Sequence, residues 1–105
     1  MINTVSLDLS SSWVTDDSLA YLGTIAHLQE VNLSDTEISD AGMAHLSQCQ
    51  RLAIVHLART KVTDEGLKLL SGHNLLSYLD LTGTAVTESA IRALRRANPY
   101  LQVER

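Results

Sequence analysis

The sequence predicts an α/β solenoid of four 24-residue repeats and a closing strand, with a parallel sheet on the concave face and helices on the convex face. Three observations predict it. Written in lines of 24 residues from Thr4, Leu28, Leu52, Leu76 and Tyr100, the chain aligns without an insertion or deletion. Each line opens with alternating apolar and polar residues and closes with apolar residues three apart. Between the two halves stands the same step, a hydroxyl residue followed by an acid. The expected coil is a right-handed β-α superhelix forming one domain over residues 1–105, with repeats 4–27, 28–51, 52–75 and 76–99 and a closing strand at 100–105.

The strand comes first in each line. One inward column reads Leu7, Val31, Val55, Leu79, Val103, and two residues on it reads Leu9, Leu33, Leu57, Leu81. The stretch Leu28-Gln29-Glu30-Val31-Asn32-Leu33 shows the alternation of a half-buried strand. A turn follows, with a hydroxyl column Ser12, Thr36, Thr60, Thr84 and an apolar column Val14, Ile38, Val62, Val86. A buried turn must satisfy its backbone polar groups, so these hydroxyls are expected to bond the backbone of successive turns.

The helix opens at Thr15, Ser39, Thr63 or Thr87, followed by Asp16, Asp40, Asp64 or Glu88. The hydroxyl is expected to accept from orphan helical N–H groups, and the acid to face the positive end of the dipole. Leu19, Met43, Leu67, Ile91 and then Leu22, Leu46, Leu70, Leu94 put one apolar stripe inward. The last helix stops at Asn98-Pro99, with Arg92, Arg95 and Arg96 suiting its negative end. No unit this short buries its own apolar face, so the units must stack.

Composition excludes several classes. The chain is 45% hydrophobic without phenylalanine, so the core is aliphatic, and its net charge of −4 disfavours non-specific attraction to nucleic acid or an anionic membrane. Cys49 is the only cysteine, which rules out an internal disulfide. No apolar run approaches the ~20 residues that span a bilayer. Met1-Ile2-Asn3-Thr4 has neither the basic nor the apolar segment of a signal peptide, and a cytoplasmic location is expected.

The pattern Leu-x-x-Val-x-Leu-x-x-Thr-x-Ile-Ser-Asp-x-Gly-Met-x-x-Leu at 28–46 resembles the leucine-rich-repeat superfamily. Its Ser/Thr-Asp-x-Gly step, repeated at Thr63-Asp64-Glu65-Gly66, is similar to the cysteine-containing subclass of F-box substrate receptors. Threonine where that subclass carries Cys or Asn is closer to bacterial repeats. No F-box-like segment precedes the repeats, so a ubiquitin-ligase role does not transfer. The first and last repeats depart from the pattern at Ser18 and Ala90, where the middle ones have Gly42 and Gly66. The resemblance implies partner binding, usually through the concave sheet, and leaves the partner open.

The outward strand columns are the candidate site. One runs Ser6, Glu30, Ile54, Tyr78, Gln102, and the next Asp8, Asn32, His56, Asp80, Glu104. Beside them run Ser10, Ser34, Ala58, Thr82 and Ser11, Asp35, Arg59, Gly83. Strands about 4.8 Å apart bring Ile54 and Tyr78 together beside His56, with Glu30, Asn32, Asp80 and Arg59 around them. This is either an interface hot spot or a scatter of ordinary surface residues. Trp13, in the strand-to-helix loop, either folds over the first repeat as a cap or contacts a partner at the rim.

Enzymatic readings fare worse. His45, Cys49 and His73 could converge on zinc, but no fourth ligand is evident, and Cys49 shares a column with Ile25 and Ala97. Asp80 and Glu104 could pair as acid and base, but an open sheet offers no pocket to desolvate them. No phosphate loop or nucleophile motif is present. The sequence therefore points to a non-catalytic module without cofactor or metal, binding a protein partner and neither nucleic acid nor membrane. A second reading is a structural or assembly subunit. Met1 falls late in a missing preceding helix, leaving the strand at Val5–Leu9 uncovered. The first two lines carry −3 each and the next two +1 each, so front and back ends attract head to tail.

Overall fold

The computed structural model describes residues 5–25 and 27–105. The start of the first column at Thr4, the leader reading of Met1–Thr4 and the placement of Met1 lie outside the described residues.

Five strands form one parallel sheet in sequence order: β1 (Val5–Asp8), β2 (Leu28–Asn32), β3 (Ile54–His56), β4 (Tyr78–Asp80) and β5 (Gln102–Glu104). Register follows the 24-residue period: Leu7, Val31, Val55, Leu79 and Val103 lie side by side. The exception is Val5, which pairs with Leu28 before the register shifts. Backbone bonding continues past the strands. The Leu9 N–H donates to Asn32, Leu33 to His56, Leu57 to Asp80 and Leu81 to Glu104, each at 2.8 Å. Short strands are thus held by a ladder longer than themselves.

The other half of each coil is helical. A 3₁₀ helix spans Asp17–Thr24, α1 spans Asp40–Leu46, α2 spans Asp64–Leu67 and runs into a 3₁₀ turn at Lys68–Leu70, and α3 spans Glu88–Ala97. The first buries Leu19 and Leu22, the same two columns that the later helices turn inward. Helix α3 stops before Asn98-Pro99, and the Asn98 side-chain amide donates to the Leu76 carbonyl at 2.6 Å. From the sheet side, Val31, Leu33, Val55, Leu57, Leu79 and Leu81 meet Leu19, Met43, Leu46, Leu67, Leu70 and Leu94 of the helices in one aliphatic core. Burying each contributes about 1.5–3 kcal/mol.

Two expectations about hydroxyls are corrected. Ser12, Thr36, Thr60 and Thr84 do not bond successive turns. Each donates to the carbonyl three residues back in its own turn, Leu9, Leu33, Leu57 or Leu81, at 2.6–2.8 Å. Beside these hydroxyls the backbone itself links the coils, with the Ser11, Asp35 and Arg59 N–H groups donating to the Ser34, Ala58 and Thr82 carbonyls, so the hydroxyl is left to close the turn.

The helix-start hydroxyls are the second correction. Ser39 and Thr63 make no capping bond to their own helices; among the described residues only Thr87 of this column accepts from a helical N–H, that of Ala90 at 3.3 Å. Instead each donates to the acid one coil earlier. Asp16 accepts the Ser39 N–H at 2.8 Å and its hydroxyl at 2.5 Å. Asp40 accepts the same two groups of Thr63, and Asp64 those of Thr87 at 2.8 Å each. The carboxylate meets both donors with a separate oxygen, Oδ1 for the N–H and Oδ2 for the hydroxyl, and its charge strengthens each bond.

This ladder explains the glycines of the middle repeats. A Cβ at Gly42 would collide with Asp16 Oδ1, and one at Gly66 with Asp40 Oδ1. Glycine gives the room at these two part-buried helix starts for the preceding coil's carboxylate to reach over. Ser18 has no described coil before it, and Ala90 stands where the Asp64–Thr87 pair is more exposed.

Candidate functional site

Residues on the sheet's open face are set by pleat alternation, with Val31, Val55 and Leu79 inward and their neighbours outward. The register places Glu30, Ile54 and Tyr78 side by side, and likewise Asn32, His56 and Asp80. All six are half-buried. The His56 and Tyr78 rings lie 5.5 Å apart, tilted by 55°, within the range of favourable aromatic pairs.

The column of His56 has a local task elsewhere. Asp8 Oδ1 accepts the Ser10 N–H at 3.0 Å and its hydroxyl at 2.6 Å. Asp80 Oδ1 accepts the same groups of Thr82 at 3.0 and 2.7 Å, and Asn32 Oδ1 accepts the Ser34 N–H at 3.0 Å. At His56 the task is done from outside: the Ala58 N–H donates to the Ser34 hydroxyl of the preceding coil at 3.1 Å. His56 is thereby released to meet Tyr78. The contrast is visible in sequence, as Asp-x-Ser, Asn-x-Ser and Asp-x-Thr against His56-x-Ala58, but the columns alone give it no meaning.

The next turn reverses the chain through left-handed backbone at Ser11, Asp35, Arg59 and Gly83, with φ of 54°, 60°, 57° and 75°. Only glycine adopts this without steric cost, so arginine at 59 is unusual. Its guanidinium makes a two-pronged pair with Asp35, Nε to Oδ1 at 2.6 Å and Nη2 to Oδ2 at 2.9 Å. The pair holds the Asp35 carboxyl below its ordinary value and raises Arg59. The adjoining column is corrected: Ser34 and Ala58 are buried, turned under the chain where it reverses, and present nothing outward.

Electrostatics on the face are acidic. The Ser10 hydroxyl and N–H hold Asp8 low. Partial burial, with the carboxylates of Asp80 and Glu104, pushes the Tyr78 hydroxyl up. Trp13 is 98% exposed and covers nothing, so the capping reading is overturned. It borders a shallow groove with Asp35, Glu37, Arg59, Lys61 and Gly83.

The chemical constellations are resolved differently. The Cys49 thiol is buried, donates to the Leu22 carbonyl at 3.1 Å, and is pushed up by burial, which opposes the thiolate a metal or an electrophile needs. Among the described residues, buried His73 finds no hydrogen-bond partner for either ring nitrogen. Among the described residues no three His, Cys, Asp or Glu side chains gather as metal ligands. Asp80 and Glu104 are register neighbours, yet Asp80 is committed to its own turn. No helix of the described residues is long and apolar enough to cross a membrane.

A family model described as leucine-rich repeat matches residues 24–47 and 48–71. No curated protein matches the chain.

Proposed function

We propose that this chain, whose residues 24–71 match a leucine-rich-repeat family model, is a non-catalytic binding module whose open sheet face holds a protein partner. Leucine-rich repeats generally mediate protein–protein interaction; the face and the residues are our reading. The observation that carries it is the half-buried His56–Tyr78 pair beside Ile54, on a face whose other side chains are polar. Glu30, Asn32, Arg59 and Asp80 rim this spot, and Trp13 stands further out beside Arg59's groove. Anchors in a partly desolvated centre with a polar rim are where interface energy concentrates. Strands held by neighbouring coils lose little entropy on binding, so the surface is pre-organised.

The test is affinity for a partner recovered from source-cell lysate and then purified. Tyr78→Ala is expected to weaken binding by about 1–2 kcal/mol or more, with the thermal transition nearly unchanged. Full affinity in that variant, and in Tyr78→Ala/Ile54→Ala, refutes the reading.

A second reading, an assembly subunit, has its own support. Among the described residues the outer edge of β1 has no strand beside it, and Val5, Leu7, Leu9 and Val14 are only partly covered. An acidic front and a faintly basic back favour head-to-tail contact. Sedimentation that shows one monomeric species over a wide concentration range removes it.

A further inference from the structure

We propose that the segment seated on the open sheet face is cationic: an extended stretch with arginine or lysine two positions either side of an aliphatic residue. The proposal rests on the binding-module reading and adds the partner's chemistry.

Charge is the first argument. The two outward strand columns carry Asp8, Glu30, Asp80 and Glu104, and contain neither lysine nor arginine. The nearest cation, Arg59, is already held by both oxygens of Asp35, and Lys61 lies 2.8 Å from Glu37. Among the described residues the face therefore offers carboxylates and no free cation. An acidic or phosphorylated partner would meet like charge across it, and a basic one would be steered to it.

Spacing is the second. Glu30 on β2, the Ile54–Tyr78 spot on β3 and β4, and Asp80 with Glu104 on β4 and β5 succeed one another across the sheet. The midpoint between Asp80 and Glu104 lies two and a half strand gaps across the sheet and two residues along it from Glu30, about 14 Å away. In an extended chain, side chains four residues apart on one face are also about 14 Å apart, with the middle one between them. A segment crossing the strands thus sets a basic residue at Glu30, an aliphatic one on Ile54, and a second basic residue over Tyr78 between Asp80 and Glu104.

The third is preorganisation. Both bonds from Thr82 use Asp80 Oδ1, and both from Ser10 use Asp8 Oδ1, so each carboxylate is oriented with Oδ2 outside those bonds. The Tyr78 ring adds a π face, which attracts a guanidinium or ammonium.

The experiment selects random dodecamer peptides on the immobilised full chain, then measures the enriched peptides by fluorescence anisotropy. Enriched peptides are expected to be net positive, with basic residues four apart around a Leu, Ile or Val. Asp80→Asn and Glu104→Gln should each weaken them about two- to five-fold at 0.1 M salt, and higher salt should weaken them further. Asp80→Asn keeps the turn, since Asn32 serves the same column position, and an unchanged melt confirms it. Selection on Asp80→Lys/Glu104→Lys should shift enrichment to acidic peptides. Peptides lost in Tyr78→Ala but without basic excess overturn this inference and leave the binding face standing. Peptides indifferent to Tyr78→Ala, or no enrichment at all, overturn both.

Discussion

Removing the Asp40 carboxylate probes the ladder between coils, because it changes what happens at Gly66. Asp40 accepts the N–H and hydroxyl of Thr63 in a part-buried setting. Bonds to a charged group contribute about 1.5–3 kcal/mol each when buried. Partial exposure argues for the low end, so Asp40→Ala should cost about 2–3 kcal/mol for the pair. For a chain of this size that lowers the melting temperature by about 10–20 °C. Gly66→Ala alone should cost about 1–3 kcal/mol, because its Cβ lands on Asp40 Oδ1 and that oxygen is fixed by Thr63. In the double variant the obstacle is gone. The Met43 Cγ still sits 3.0 Å from the new methyl, but alanine gains about 0.8–1.0 kcal/mol over glycine in a helix. The two losses should therefore fail to add by about 1 kcal/mol or more. The assay is urea unfolding followed by circular dichroism on the four proteins. Strict additivity, or an Asp40→Ala loss under about 0.5 kcal/mol, refutes the ladder argument.

Three further outcomes follow from the same geometry. The Thr87 N–H and hydroxyl, then Lys68 and Arg105, hold the Asp64 carboxyl below 3.8. A depressed folded pKa gives stability that is present above the ordinary value and lost as pH falls through the lower one, so Asp64→Asn should flatten the fall in urea midpoint that begins at about pH 5 and continues below the ordinary value. Arg59→Gly relieves left-handed backbone at the cost of the exposed Asp35 pair, and should leave the melting temperature level or higher; a clear drop would mean the ion pair outweighs the backbone. His73→Leu removes two buried ring nitrogens without protein partners and should stabilise by about 1 kcal/mol; destabilisation on denaturant titration would show that the ring has a partner after all.

The sequence was legible wherever one residue's neighbours are fixed by period alone. Strand positions, the inward columns and the Ile54–Tyr78 contact follow from lines of 24 residues, because a parallel sheet of stacked coils turns sequence columns into spatial ones. What was not legible was which of two available partners a polar group chooses. Thr63 can cap its own helix or donate back to Asp40; both satisfy local rules, and only the distance between coils decides. Gly42 and Gly66 held the clue, since glycine inside a helix start costs stability unless something must approach closely. The choice between the two readings of Trp13 was not legible for a related reason. An aromatic at a loop can cover an apolar end only if the loop points there, and the turn before Trp13 has the same left-handed step as in every other coil, which gives the sequence no sign of its direction.

The repeat divides its work among columns, and His56 marks where that division was altered. Inward leucines and valines build the core, the acid–hydroxyl ladder joins the helix starts, and the backbone joins the strands, so outward positions are free of all three tasks. The column of Asp8, Asn32 and Asp80 is only partly free, because each must satisfy the N–H two residues on. A histidine placed there would ordinarily leave that N–H buried and unpaired, at a cost of about 1–3 kcal/mol. Ser34 removes the conflict, since its inward hydroxyl accepts from Ala58 across the coil boundary. A ring beside Tyr78 is therefore compatible with this turn only because a small hydroxyl residue stands one coil earlier. Ser34→Ala should accordingly disturb the His56–Tyr78 pair without touching it, and shift the ring-proton resonances of both residues. Resonances that stay in place in that variant would show that the turn at Ala58 holds without Ser34.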